Sequence, residues 1–258
     1  MLIILPPSET KRDGGAGSLA LAALSSPALT ATRSTVTAAL SALSLDPRAA
    51  MLALKLGATQ GFEVDRNRAL FSSPVLPALE RYTGVLYDAL DARTLTPDAR
   101  SLAARSVLIH SALFGVLRAD DAIPAYRLSH NSRLPGLALG ALWRGAISTE
   151  LDARSGLILD LRSASYVALG PIAAGPERFA LRVMAVDAGG RRLSLTHFNK
   201  KGKGELVREI LASGIDHATV ESLLSWADSV GIALNRGAAG VLELTVNNLP
   251  GAPALRVA

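Results

Sequence analysis

No cysteine occurs among the 258 residues, so disulfides, thiolate metal sites and thiol-based peroxide sensing are all excluded. Aromatic residues make up only 4% of the chain, which leaves alanine and leucine to supply most of any core. No apolar run approaches the ~18 residues of a membrane-spanning helix. The opening Met1-Leu2-Ile3-Ile4-Leu5-Pro6-Pro7 is too short, and lacks the basic leader, for a signal peptide. A soluble cytoplasmic protein with no membrane partner is expected. The common nucleotide and hydrolase signatures, G-x-G-x-x-G, G-x-x-x-x-G-K-[ST] and G-x-S-x-G, are missing as well. His110, His130, His197 and His217 share no metal-ligand spacing. No metal, no cofactor and no catalytic residue is therefore assigned.

Lysine is also scarce, and its distribution is informative. Three of the five lysines stand in Lys200-Lys201-Gly202-Lys203, while arginine carries most positive charge elsewhere. The net charge of +5 is matched by the segment from Arg191 to Arg208, which holds six basic residues (Arg191, Arg192, Lys200, Lys201, Lys203, Arg208) against Glu205 alone. A local surplus of this kind favours a binding patch for a polyanion. The pattern Gly204-Glu205-Leu206-Val207-Arg208-Glu209-Ile210-Leu211 predicts a helix opening at the lysines. Lysines there oppose the helix dipole unless an anion sits against the free amides, with Gly202 and Gly204 allowing close approach. A solvated loop followed by an ordinary helix is the alternative.

The rest of the chain reads as mixed α+β, one compact unit over 1–258 without repeats or linkers. Leu2 to Leu5 predicts a buried strand stopped by Pro6-Pro7, followed by a polar loop and the glycine-rich 13–17. Residues 18–105 carry helical patterns, with Asp46 and Thr96 as N-caps ahead of Pro47 and Pro97. Strands are expected at 107–110 and 157–160, with a helix over 138–151 between them. A hairpin is expected from Phe179–Asp187 and Arg191–Phe198, then helices at 203–213 and 219–230 and a strand near 241–246. Strands and helices do not alternate strictly, so a doubly wound sheet is not expected.

Three other segments draw notice. Asp120-Asp121 reads as an ion-pair network rather than a magnesium site. Arg118, Arg127 and Arg133 flank a post-strand loop and could grip phosphates, while Tyr126 either stacks on a base or fills the core. Helical patterns at 47–56 and 62–70, joined through Gly57-Ala58-Thr59-Gln60-Gly61, form a helix-hairpin-helix type unit over 47–70. Its turn, with Gly57, Thr59 and Gly61, could hold a DNA phosphate; an ordinary helical turn is the other reading.

Together these pieces resemble the YaaA family of peroxide stress proteins across nearly the whole chain. The resemblance is carried by Leu2 to Lys11, by Tyr82-Thr83-Gly84-Val85-Leu86-Tyr87, and by Gly115-Val116-Leu117-Arg118 with Asp121 and Tyr126-Arg127-Leu128. Ser163, Tyr166, and His197-Phe198-Asn199-Lys200-Lys201-Gly202-Lys203-Gly204 with Arg208 complete it. Alanine-rich spacers, an altered 57–61 hairpin and Lys203 in place of a common arginine depart from the family pattern. The resemblance implies a YaaA-like fold with a positively charged cleft and a helix-hairpin-helix element. It also implies binding to duplex or branched DNA without sequence specificity, and a peroxide-induced role that limits free iron and protects DNA. The matching cleft positions are Lys11, Arg118, Arg127, Lys200, Lys201, Lys203 and Arg208. A second hypothesis is an enzyme acting on a phosphorylated or nucleotide-like small molecule, with Ser8, Glu9, Asp121, Tyr126, Ser163 and Tyr166 as pocket residues.

Overall fold

The computed structural model describes the backbone of residues 1–186, 192–193 and 196–247, and side chains over 1–184 and 199–246. Its strands are β1 (Leu2–Leu5), β2 (Leu76–Pro77), β3 (Val107–Ser111), β4 (Gly115–Arg118), β5 (Ala122–Ile123), β6 (Ile158–Asp160), β7 (Arg178–Val186), β8 (Arg192–Leu193), β9 (Leu234–Arg236) and β10 (Val241–Asn247). The helices are α1 (Thr30–Leu43), α2 (Pro47–Ala53), α3 (Phe62–Arg68), α4 (Ala78–Arg81), α5 (Val85–Leu90), α6 (Pro97–Ser106), α7 (Leu139–Asp152), α8 (Ala164–Val167), α9 (Thr196–Ser213) and α10 (Val220–Ser229).

β1 is apolar at every position and fully inside, as a strand covered on both faces must be. It pairs in parallel with β3 on one side (Ile3 beside Val107) and with β6 on the other (Leu2 beside Ile158). Parallel pairing continues from β6 to β7 and from β7 to β10. The main sheet runs β4-β3-β1-β6-β7-β10-β9, with antiparallel edges at β4 and β9 and with β8 paired to β7. The architecture is thus mixed α/β with a mostly parallel sheet. This corrects the α+β expectation: the crossovers between parallel neighbours vary so much in length that alternation is hidden in the sequence.

Local signals predict several boundaries well. Asp46 accepts from the Arg48 and Ala49 amides ahead of Pro47, and Thr96 caps Ala99 ahead of Pro97. The expected hairpin pairs Val186 with Arg192, but its second strand ends at Leu193. The intended Ala188-Gly189-Gly190 turn lies outside the described residues. The helix expected from 203 begins at Thr196 instead, so the lysines stand in its opening turns rather than ahead of it. One apolar cluster reaches from β1 to β10 and encloses Trp143, whose indole N–H bonds the Ala112 carbonyl. Among the described residues, no helix is long and apolar enough to cross a membrane.

Candidate functional site

Parallel strands end on a common side, so the segments leaving them converge. Pro6 to Thr10 leaves β1 and Leu161 to Tyr166 leaves β6, and both line one cavity of about 560 Å³. The start of α5 (Gly84 to Tyr87), Leu128 to His130, and Asn199, Lys200 and Lys203 of α9 form the other walls. Six residues singled out from sequence for pocket or phosphate roles meet here: Ser8, Glu9, Ser163, Tyr166, Lys200 and Lys203. Gly84 adopts φ +99, and a side chain there would press on Ser8 Oγ and Thr10 Oγ1. Glycine therefore lets α5 close against the β1 loop.

The helix period scatters the lysine run. Lys200 and Lys203, three apart, share the cavity face, whereas Lys201 points outward and pairs with Glu205 one turn on at 3.3 Å. Lys203 is buried, with Nζ donating to the Leu161 carbonyl at 3.0 Å, and burial lowers its pKa. The glycines have packing roles. A Cβ on Gly204 would stand 2.1 Å from the Leu86 carbonyl oxygen of α5, and one on Gly202 would meet Val183 and Val246 of the sheet. These contacts account for both glycines inside the helix, in place of the anion approach expected from sequence.

Several other cationic positions are engaged inside the fold. Arg118 donates to the Ala104 and Arg105 carbonyls at the end of α6, and Arg208 to those of Leu90 and Asp91 at the end of α5. Both complement helix C-termini. Arg127 pairs with Glu9 at 2.7 Å. Asp121 accepts from Ser25 and from the Arg118 amide, fastening residues around 25 to β4; it does not line the cavity. Arg133 is exposed, and its amide bonds the Ala53 carbonyl at the end of α2.

Beneath the β1 loop lies a sealed polar layer. Lys11 is buried, with Nζ donating to the Ser8 and Glu9 carbonyls and sitting 4.1 Å from the Tyr126 ring centroid. Burial pulls its pKa from 10.5 to about 7; Glu63 opposes this, while Arg127 and Arg66 reinforce it. Ser111 Oγ accepts from the Leu113 and Phe114 amides, so its proton goes to Tyr126. Tyr126 in turn donates to Tyr82 at 2.7 Å. Burial raises the pKa of both phenols, which keeps them neutral. Tyr126 is thus a core residue.

A second layer supports Tyr166. Asp160 grips the Arg162 guanidinium, which bonds His110 Nδ1 at 2.9 Å. Since arginine only donates, His110 carries its hydrogen on Nε2, and burial first, then Arg162, holds its pKa well below normal. Tyr166 packs edge-on against His110 and against His130, at 5.5 and 5.3 Å between ring centroids. His130, Asn199, Thr10, Ser129 and Tyr87 are lining residues that sequence reasoning did not single out for the site. The Leu2–Lys11, Tyr82–Tyr87 and 197–204 runs hinted at three of them, Thr10, Tyr87 and Asn199. Among the described residues, no three of His, Asp and Glu are gathered so as to hold a metal ion.

The 47–70 region consists of α2 and α3 joined through a short 3-10 turn at Ala58–Gln60. Thr59 is exposed, and the Gly57 amide is taken by the Gln60 side chain. Glu63 and Asp65 in the first turn of α3 already complement its dipole. Asn67 clasps the backbone of Arg127 through both its amide N–H and its carbonyl. The strand of chain from 127 to 133 therefore links this helical unit with the cavity wall at Leu128 to His130.

A family model described as peroxide stress protein YaaA matches residues 1–234. A UPF0246 protein of Corynebacterium efficiens is 42% identical over 254 residues, covering 95% of this chain and 100% of its own length. A UPF0246 protein of Streptomyces coelicolor is 44% identical over 219 residues, covering 83% of this chain and 84% of its own.

Proposed function

The chain belongs to the peroxide stress protein YaaA family, and from that premise we propose that it is a cytoplasmic DNA-binding protein of the oxidative stress response. In this reading it limits intracellular free iron and protects DNA from peroxide damage, without sequence preference and without catalysis of its own. The observation that carries the reading is the exposed Lys200 and Lys201 pair beside a cavity whose lining at Leu128 to His130 belongs to a segment, 127–133, bonded to the 47–70 unit. Phosphates would lie against Lys200, Lys201 and Arg133, with the turn at Gly57, Thr59 and Gly61 as a second backbone contact. The engaged cations Lys11, Arg118, Arg127, Lys203 and Arg208 hold the surface in shape.

The test is salt-dependent duplex binding by a Lys200→Ala/Lys201→Ala variant. Lys203 is left intact because its ammonium serves an internal carbonyl. Affinity should fall, and the slope of log K against log salt should flatten by up to about two units. Binding equal to the parent at every salt concentration would remove these lysines from the interface.

The cavity favours a second reading, an enzyme acting on a phosphorylated or nucleotide-like small molecule. Its volume lies within the range of about 300–1,000 Å³ of small-molecule sites, and its polar groups come from distant segments. A thermal-shift series of sugar phosphates and nucleotides against duplex DNA separates the two; stabilisation by a sugar phosphate, with no duplex binding, supports the enzyme.

A further inference from the structure

The cavity and the lysines beside it are parts of one surface, and their chemistry is specific enough to name an occupant. Positive charge is graded along one stretch of α9: Lys203 is buried at the cavity wall, Lys200 is exposed at the same wall, and Lys201 faces outward. Among the described residues, neither Lys200 nor Lys203 has a carboxylate within salt-bridge distance. Lys203 Nζ has one protein acceptor and two further hydrogens, and the field of Asp160 offsets its burial only in part, so an anion entering the cavity would find a donor with capacity to spare. The remaining lining includes apolar surface (Pro6, Leu86, Leu128, Leu161), short hydroxyls (Ser8, Ser163) and the carboxylate of Glu9, which is taken up by Arg127 at 2.7 Å. Tyr166, held edge-on between His110 and His130, adds an aromatic face on a rigid support. Apolar and aromatic surface for a planar base, hydroxyls for its polar edge and ammoniums for its phosphate are the requirements of one nucleotide.

We infer that the cavity receives a single nucleotide unit, its phosphate against Lys200 and Lys203, extruded from DNA held at the surface or taken up as a free nucleoside monophosphate. The extruded form rests on the DNA-binding reading above, and it explains why the charge continues past the rim to Lys201: neighbouring phosphates of the same strand need a contact outside. Extrusion is least costly where a base is mismatched or unpaired, so such sites would be occupied first.

The experiment uses the full chain and two probes. The first is a duplex with a mismatched 2-aminopurine, whose fluorescence rises on unstacking. The second is deoxyadenosine monophosphate in a thermal-shift assay. The parent should give the fluorescence rise and be stabilised by the monophosphate. Ser163→Trp, which fills the cavity from an exposed position, should abolish both responses, the fluorescence being read at duplex concentrations that saturate the variant. Asn199→Trp serves the same purpose should Ser163→Trp fail to fold. A parent that binds duplex but shows neither response overturns the inference and leaves the DNA reading standing. Stabilisation by the monophosphate without duplex binding supports the cavity assignment with a free nucleotide as its source, and ends the DNA reading. An unchanged fluorescence rise in both cavity-filling variants overturns the cavity as the place of extrusion.

Discussion

Residues 200–204 and 55–61 carry the same ingredients, glycines beside lysine at a helix start, and the fold treats them in opposite ways. In the first segment both glycines are pressed against neighbours, Gly204 against the backbone of α5 and Gly202 against valines of β7 and β10. In the second, Gly61 has open space where a side chain would stand and Gly57 meets only the tip of Gln60. Neither of these two needs a left-handed backbone, with φ of −55° and −75°. The apolar surface differs too. Leu45, Leu52, Phe62 and Phe71, four of the five large apolar residues left exposed among the described residues, lie around the 47–70 unit. α9 is welded into the core, and the 47–70 unit rides on it. A glycine inside a packed helix reports on close approach of protein to protein, and one in an open turn leaves room for something else.

The largest test of that contrast is Gly204→Ala. With a backbone carbonyl 2.1 Å from the new Cβ, α5 and α9 must separate, and denaturant unfolding should show a loss of about 3 kcal/mol. Retention of parental stability would mean the two helices are not locked together. Next is Lys11, which lies under the β1 loop within the field of Glu63 and Arg66 of α3. Its pKa is about 7 in the fold and 10.5 in an ordinary setting, so between these values the unfolded chain holds more protons. Stability should rise with pH across that window, by something on the order of 1 kcal/mol per pH unit, and Lys11→Met should flatten this slope. A parent whose stability does not rise from pH 7 to 10 places the ammonium in contact with water. Gly202→Ala should cost about 1 kcal/mol, because the valine methyls it meets can shift. Smallest and opposite in sign, Gly61→Ala should gain about 0.5 kcal/mol by restricting the unfolded chain. If that variant also loses duplex affinity while its stability rises, the open turn is a DNA contact.

The elements most legible from sequence were those with purely local causes. Asp46-Pro47 and Thr96-Pro97 mark helix starts because cap and proline act within one turn. The Leu2–Leu5 run reads as a buried strand because every position is apolar. The start of α9 was misplaced by seven or eight residues because Thr196 to Asn199 carries no apolar period, and the glycines that follow look like helix breakers until the sheet and α5 are seen against them. For the site, Ser8, Glu9, Ser163, Tyr166, Lys200 and Lys203 converge on one cavity, while Asp121 and Tyr126 serve a loop anchor and the core. Nothing near Asp121 in the chain reveals Ser25, which lies far away in sequence and occupies the carboxylate.

The amino-acid order alone determined the local matters: an apolar central strand closed by prolines, cysteine-free chemistry, and a surplus of positive charge confined to 191–208. Tertiary structure alone decided where each charge is used. Lys200 meets the cavity and Lys201 the solvent because a helix turns 100° per residue, and only the packing of α9 on α5 and the sheet says which direction is inward. Arg118, Arg127 and Arg208 are bound to groups brought near by the fold, because a cation drawn wholly or partly out of water is costly to leave without an acceptor.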